Sequence, residues 1–187
     1  MQLTVAILAG GASRRMGTDK AALLFGGVSL LERTARTALS AGLPVLVAGR
    51  TRPDGWPLSE VEFVPDAAPD RGPLGGLEAA LRHAAHPVLA LACDMPLLTT
   101  AALDWLREAA ARGTAEHGLA VQNSGQWEPL FSVYTPACLP LVEARLSAGR
   151  LSLHRLIEAG EFATAAAPDW VAAQLVNVNT PDEWARL

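Results

Sequence analysis

The stretch Leu8-Ala9-Gly10-Gly11-Ala12-Ser13-Arg14-Arg15-Met16-Gly17-Thr18-Asp19-Lys20 combines adjacent glycines with a cluster of cations. Gly10 and Gly11 permit close backbone approach that a side chain would block. Successive N–H groups in such a loop can form a concave nest for phosphate oxygens. Arg14, Arg15 and Lys20 add the charge-assisted donors that hold a polyphosphate. The loop is not a Walker A motif, because Lys20 follows Asp19 and precedes Ala21, and the third glycine of a dinucleotide fingerprint is missing. The competing reading is a glycine turn with solvated arginines. Three cations on one loop directly after an apolar run favour anion binding.

A second chemical signal is Asp94, in Cys93-Asp94-Met95-Pro96-Leu97 after the apolar run 88–92. A carboxylate at the carboxyl end of a strand, facing a phosphate loop, suits Mg²⁺, which needs few protein oxygens when phosphates and water complete its shell. A plain helix-capping aspartate is the alternative, weakened because Thr99 or Thr100 already suits that role. Asp66 ends another short apolar run and is read equally well as a turn former. Gly72-Pro73-Leu74-Gly75-Gly76 precedes a helix whose N–H groups and dipole suit an anion or the polar edge of a base; a structural turn is the rival reading.

Further on, Asn177 and Asn179 occupy alternate positions of an extended segment and so face one side. Their amides suit a ring edge that offers both donors and acceptors, with an asparagine pair forming turns before the capped helix as the alternative. Trp127, in Gln126-Trp127-Glu128-Pro129-Leu130, suits stacking on a flat ring, with a buried core tryptophan as the alternative. Arg150 and His154 are candidates for an acceptor phosphate, or simply solvent-facing helix residues. His83, His86 and His117 share no metal-ligand spacing with Cys93 or Cys138, which excludes a zinc site. Cys93 has no neighbouring histidine to activate it and reads as an inert half of a strand end.

Strands are expected over residues 4–8, 44–48, 62–64 and 88–92, where short apolar runs end in turn residues. Helical spacing covers 29–39, 77–85 and 99–112. This alternation predicts an α/β fold, a three-layer α/β/α sandwich around a mostly parallel, Rossmann-like sheet. Residues 119–122 and 130–134 flank the turn-like 123–125 and read as a two-strand excursion; helices follow near 137–146 and 151–159. Thr180-Pro181-Asp182-Glu183 reads as the capped start of a short terminal helix. The alanine-rich patch 163–167 is too short to separate domains, so residues 1–187 are read as one domain. In open α/β sheets the ligand lies at the carboxyl ends of the strands, where the glycine loop, Asp66 and Asp94 all fall.

Half of the 187 residues are hydrophobic, enough for a sizeable core, and the net charge of −4 argues against bulk attraction to nucleic acid. Two cysteines are too few for a disulfide scaffold and point to a reducing, cytoplasmic compartment. No secretory signal is apparent, and no stretch reaches the ~20 apolar residues of a membrane span.

The segment LAGGASRRMGTDKA resembles the signature of the Rossmann-like nucleotidyltransferases, and is most similar to that of the molybdenum cofactor guanylyltransferase family. Cys93–Leu97 and the closing Asn177-Val178-Asn179-Thr180-Pro181 resemble further motifs of that family. The resemblance implies transfer of GMP from GTP to molybdopterin with release of pyrophosphate. It implies Lys20, Arg15 and Asp94 as catalytic residues and Asp94 as the Mg²⁺ ligand. It also implies a GTP site of Leu8, Ala9, Gly10, Gly11, Lys20, Asp66, Gly75, Gly76 and Asp94, and acceptor binding by Asn177 and Asn179. Residues 1–100 would then mainly hold GTP and 101–187 the acceptor. A monomer or weak oligomer is expected, with transient contact to other cofactor-biosynthesis proteins or acceptor enzymes, and no membrane or nucleic-acid partner. The chain departs from the family at the end of its second strand, where Ala48-Gly49-Arg50 stands in place of a usual asparagine; backbone groups of Ala48 or Gly49 are the expected substitutes. The related cytidylyltransferases typically read Ala-Gly where Gly10-Gly11 stands, which favours guanine. The alternatives are cytidylyl transfer to the same cofactor, a sugar-phosphate or isoprenoid-precursor nucleotidyltransferase, and a nucleotide-binding regulatory module without turnover.

Overall fold

A computed structural model describes residues 2–9, 20–65 and 70–177, without the side chains of Lys20 and Phe25. The strands are β1 (Thr4–Leu8), β2 (Leu24–Phe25), β3 (Val28–Ser29), β4 (Val45–Ala48), β5 (Glu62–Val64), β6 (Val88–Leu91), β7 (Gly118–Asn123), β8 (Gln126–Trp127), β9 (Phe131–Tyr134) and β10 (Phe162–Ala166). The helices are α1 (Leu30–Ser40), α2 (Gly72–Ala84), α3 (Thr100–Arg112), α4 (Leu139–Ser147), α5 (Leu153–Ala159) and α6 (Asp169–Ala172). The main sheet runs β10-β7-β9-β6-β1-β4-β5, with β8 paired to β7. The β1, β4, β5 and β6 pairings are parallel, as is β10 with β7, whereas β9 runs antiparallel to both β6 and β7.

The central strands are apolar throughout because both faces are covered. Val5 and Ile7, Val45 and Val47, and Leu89 and Leu91 join one core with α1 and α3. The alternate residues Ala6 and Leu8, Leu46 and Ala48, and Val88 and Ala90 join the other with α2, α4 and α5. The strand period of two therefore sends successive side chains into opposite layers and yields the expected three-layer sandwich. Helix α1 starts at the Ser29 N-cap, whose hydroxyl accepts from the Glu32 N–H at 3.2 Å, while Glu32 also pairs with Arg36.

Several expectations need correction. Residues 130–134 are not part of an excursion. Strand β9 is inserted in mid-sheet between β6 and β7, because Phe131 and Val133 complete one core while Tyr134 completes the other. The alanine-rich patch is the edge strand β10, which small residues allow to lie against β7. The Gly72–Gly76 turn is instead the first turns of α2, with Pro73 in the opening turn where its missing N–H costs nothing. Thr99 occupies the N-cap position of α3 but makes no side-chain cap bond; both its N–H and its hydroxyl donate to Gln174 Oε1, at 3.0 and 2.8 Å. Residues 24–29 form a small hairpin that the apolar pattern does not reveal. The terminal helix expected at 180–183 lies outside the described residues.

Candidate functional site

Parallel registers bring the carboxyl ends of four strands to one edge. Leu8 stands beside Ala48, Ala48 beside Val64, and Ile7 beside Leu91. Ala9 extends this edge by donating its N–H to the Ala48 carbonyl at 2.9 Å. The glycine loop departs from this point. Gly10, Gly11 and Arg15 lie outside the described residues, as does Asp66, which follows β5 by two positions. The chain is described again at Lys20, which opens a single 3₁₀ turn packed against α1.

Two of the backbone groups beside the missing asparagine serve the sheet. The Gly49 N–H donates to the Val64 carbonyl at 2.9 Å, so the sheet ladder has already used it, and the Ala48 carbonyl serves Ala9. Gly49 has a φ of 93°, a left-handed turn out of β4 that favours glycine.

Helix α2 begins at the same edge with no side-chain cap on its first N–H groups. Its two internal glycines differ in cause. A Cβ on Gly75 would lie 2.6 Å from Arg71 Cβ, so packing alone requires glycine there. A Cβ on Gly76 would meet Leu8 and the Ala48 carbonyl at 3.6–3.7 Å, ordinary contact. Glycine at 76 thus gives up helix stability with no steric need from the protein itself. Behind them, buried Glu78 is held between Arg71 at 3.1 Å and Arg82 at 3.4 Å, locking the start of the helix.

Asp94 follows β6 on the turn leading to α3. That turn is fastened by the Leu98 N–H to the Met95 carbonyl at 3.2 Å, and by Arg33 Nε of α1 donating to the Pro96 carbonyl at 2.9 Å. Asp94 is half-buried, with Oδ1 shielded from solvent. It lies several residues before α3 and does not cap it. Among the described residues no cluster of three or more His, Cys, Asp or Glu side chains could cage a metal. A single carboxylate whose partners are phosphates and waters is the usual donor set for Mg²⁺, and Asp94 fits it.

Beyond Asp94 lies a cavity of about 420 Å³. Met95, the residue after Asp94, and Pro73 of α2 line its near side; Trp127, Glu128, His154 and Asn177 line the rest. Asn177 is exposed and lines this cavity, whereas Asn179 lies outside the described residues. Trp127 is half-buried rather than a core residue, and His154 faces the cavity instead of bulk solvent alone. Arg150 is exposed and does not line it.

Glu128 was not singled out by sequence reasoning, although the signal was present: a carboxylate next to tryptophan and proline within a predicted strand pair. Three bonds hold its backbone and a fourth holds that of Pro129. Its N–H donates to the Val121 carbonyl at 2.9 Å, its carbonyl accepts from Phe131 N–H at 2.9 Å and Ser132 Oγ at 2.8 Å, and the buried Tyr134 hydroxyl donates to the adjacent Pro129 carbonyl at 2.9 Å. Burial raises the Glu128 pKa above the ordinary carboxylate value, while a hydrogen bond from Asn123 and the nearby His154 imidazole pull it down.

The remaining titratable candidates have structural partners. His86 bonds Thr4, His83 pairs with Glu62 at 2.6 Å, and His117 Nδ1 accepts from the Glu161 N–H. Cys138 is buried, which pushes its thiol up to about 12 and leaves it inert. Cys93 is half-buried.

A mostly parallel sheet covered on both faces, with a glycine- and cation-rich stretch next in sequence after β1 and a carboxylate after β6, has the layout of a nucleotidyltransferase. Residues 5–165 match the MobA-like NTP transferase domain, and the chain belongs to that family. It is 37% identical over its whole length to a probable molybdenum cofactor guanylyltransferase of Synechococcus elongatus, covering 98% of that protein. A probable molybdenum cofactor guanylyltransferase of Opitutus terrae is 34% identical over 97% of this chain and 92% of its own. Among solved structures, molybdopterin-guanine dinucleotide biosynthesis protein A from Archaeoglobus fulgidus superimposes with a TM-score of 0.78 at 26% identity, over 98% of this chain and 95% of that one.

Proposed function

We propose that the chain transfers GMP from GTP to molybdopterin, releases pyrophosphate and so forms the guanine dinucleotide form of the cofactor, in the cytoplasm and with Mg²⁺. The observation that carries this reading is the adjacency of two sites at one sheet edge. The ends of β1, β4 and β6 and the start of α2 meet at this edge, and the 420 Å³ cavity, lined by Pro73 and by Met95 next to Asp94, runs from there to Asn177. The full-length likeness to guanylyltransferases supports GTP as donor and molybdopterin as acceptor.

In this reading the terminal phosphate of the acceptor attacks the α-phosphorus of GTP. A new P–O bond forms and the α–β bridging bond breaks, with pyrophosphate carrying away the electron pair. The acceptor phosphate is already ionised near neutral pH, so no protein base is required. Joining two anions needs charge neutralisation and alignment more than covalent help. Lys20 and Arg15 supply positive charge from the loop. Asp94 would hold Mg²⁺, which would supply neutralisation of phosphate charge there. Arg33 keeps the Asp94 turn in place through Pro96.

The test is a panel of GTP, CTP, ATP and UTP, each with molybdopterin, read by pyrophosphate release. Turnover with GTP well above the others is expected. Preference for CTP would reassign the base, and GTP binding without pyrophosphate would make the chain a regulatory module.

A further inference from the structure

Among the described residues that line the cavity beside Asp94, Glu128 is the one carboxylate, and its placement is unusual for a surface acid. It sits on the short connection between β8 and β9, where the four backbone bonds described above remove most of its freedom. Among the described residues its side chain has one hydrogen bond, from Asn123 Nδ2 to Oε1 at 3.2 Å. His154 lines the same cavity and acts on Glu128 electrostatically. A half-buried acid loses hydration, and among the described residues Asn123 and His154 offset only part of that loss, since burial still dominates. Such a group is poised to accept hydrogen bonds from a ligand.

We propose that Glu128 is the specificity residue of the acceptor pocket and that it accepts the paired N–H donors of a 2-amino-4-oxopyrimidine edge, with Trp127 beside the ring. This rests on molybdopterin being the acceptor. A pterin presents the ring N3–H and the 2-amino group side by side, and a carboxylate receives two parallel N–H donors well. Asn177 carries both a donor and an acceptor and suits the other ring edge. Asn123 fixes Oε1 so that the carboxylate meets the ring in a single orientation. The pterin held at this end leaves the acceptor's phosphate to point along the cavity toward Met95 and Asp94. Glu128 touches no reacting atom in this arrangement; it selects and places the acceptor.

The experiment compares wild type, Glu128→Gln and Glu128→Asp in steady-state GMP transfer, with molybdopterin and GTP varied separately and with thermal unfolding as a fold control. Glutamine keeps the size and the possible bond to Asn123 but sets a donor against the donor edge. A rise of about tenfold in the KM for molybdopterin is expected for Glu128→Gln, with the KM for GTP within twofold of wild type, and a smaller rise for Glu128→Asp. An unchanged molybdopterin KM, or a parallel rise in both KM values, overturns the role of Glu128 while wild-type turnover still stands. Wild type that releases no pyrophosphate with molybdopterin overturns the acceptor reading itself.

Discussion

The halves of this molecule proposed to face the nucleotide and the acceptor are built on opposite principles. On the nucleotide side, β1, β4, β5 and β6 run parallel, so their ends share one edge and each following loop inherits its place from the strand. The groups proposed to act there are the glycines and cations that follow β1 in the sequence, and Asp94. On the acceptor side, antiparallel β9 breaks the alternation. Its cavity gathers side chains from α2, the Asp94 turn, the β8–β9 connection, α5 and Asn177. A parallel layout lets the chain place a ligand locally, strand by strand. An inserted antiparallel strand needs distant packing to complete a pocket.

That contrast predicts where substitutions act. Replacement of Asp94 by Asn, or of Lys20 by Ala, should lower kcat for pyrophosphate release by roughly a hundredfold or more, as for other removals of preorganised charge at a reacting centre. Thermal unfolding should barely move, and unchanged turnover would remove either residue from the mechanism.

Arg33→Ala tests how far the Asp94 turn depends on α1. Loss of its bond to the Pro96 carbonyl should cost about 1–2 kcal/mol in denaturant unfolding. It should also lower kcat severalfold while leaving the KM for GTP nearly unchanged. A stability loss without a kinetic one would separate the turn's packing from its catalytic placement.

Gly76→Ala sharpens the distinction further. Its methyl group fits at 3.6–3.7 Å from its neighbours, so the helix should gain up to ~1 kcal/mol. If the glycine serves close approach of the nucleotide, the KM for GTP rises as stability rises. Loss of stability would show instead that packing requires glycine at 76, as it does at 75.

The smallest expected effect is a pH trend at Glu128. Its carboxyl is shifted up in the folded chain, chiefly by burial, so folding favours the protonated form. Stability from this source is full below the ordinary carboxylate value and is lost as pH rises through the raised one. Relative to Glu128→Gln, the wild type should therefore lose ground as pH rises from about 4 to 7. The groups acting on Glu128 are Asn123 and His154, both lowering its pKa, so the trend is shallow.

How legible the site was in the sequence follows the same division. Leu8, Ala9 and Asp94 stand at strand ends, as their apolar runs indicate, because a buried parallel strand announces itself by composition. Gly75 and Gly76 were placed in a turn and lie in a helix. Pro and Gly mark both settings, and only the packing of Arg71, Leu8 and Ala48 distinguishes them. Trp127 and His154 left open a core or surface role, and the cavity decided for both. Glu128 passed unnoticed because nothing local marks a carboxylate as half-buried. Its environment comes from His154, 26 positions away along the chain, and from a strand inserted at mid-sheet.

The amino-acid sequence by itself determined the class of the protein: the strand–helix alternation, the glycine and cation loop, and a carboxylate after an apolar strand. These depend on short-range periodicity and on residue chemistry, which neighbouring positions carry. Tertiary structure alone decided the path of β9, the cause of each glycine in α2, and the residues that meet around the acceptor cavity. Such features arise from burial and contact between segments far apart in the chain, and free energies of that kind leave no mark on any one local stretch.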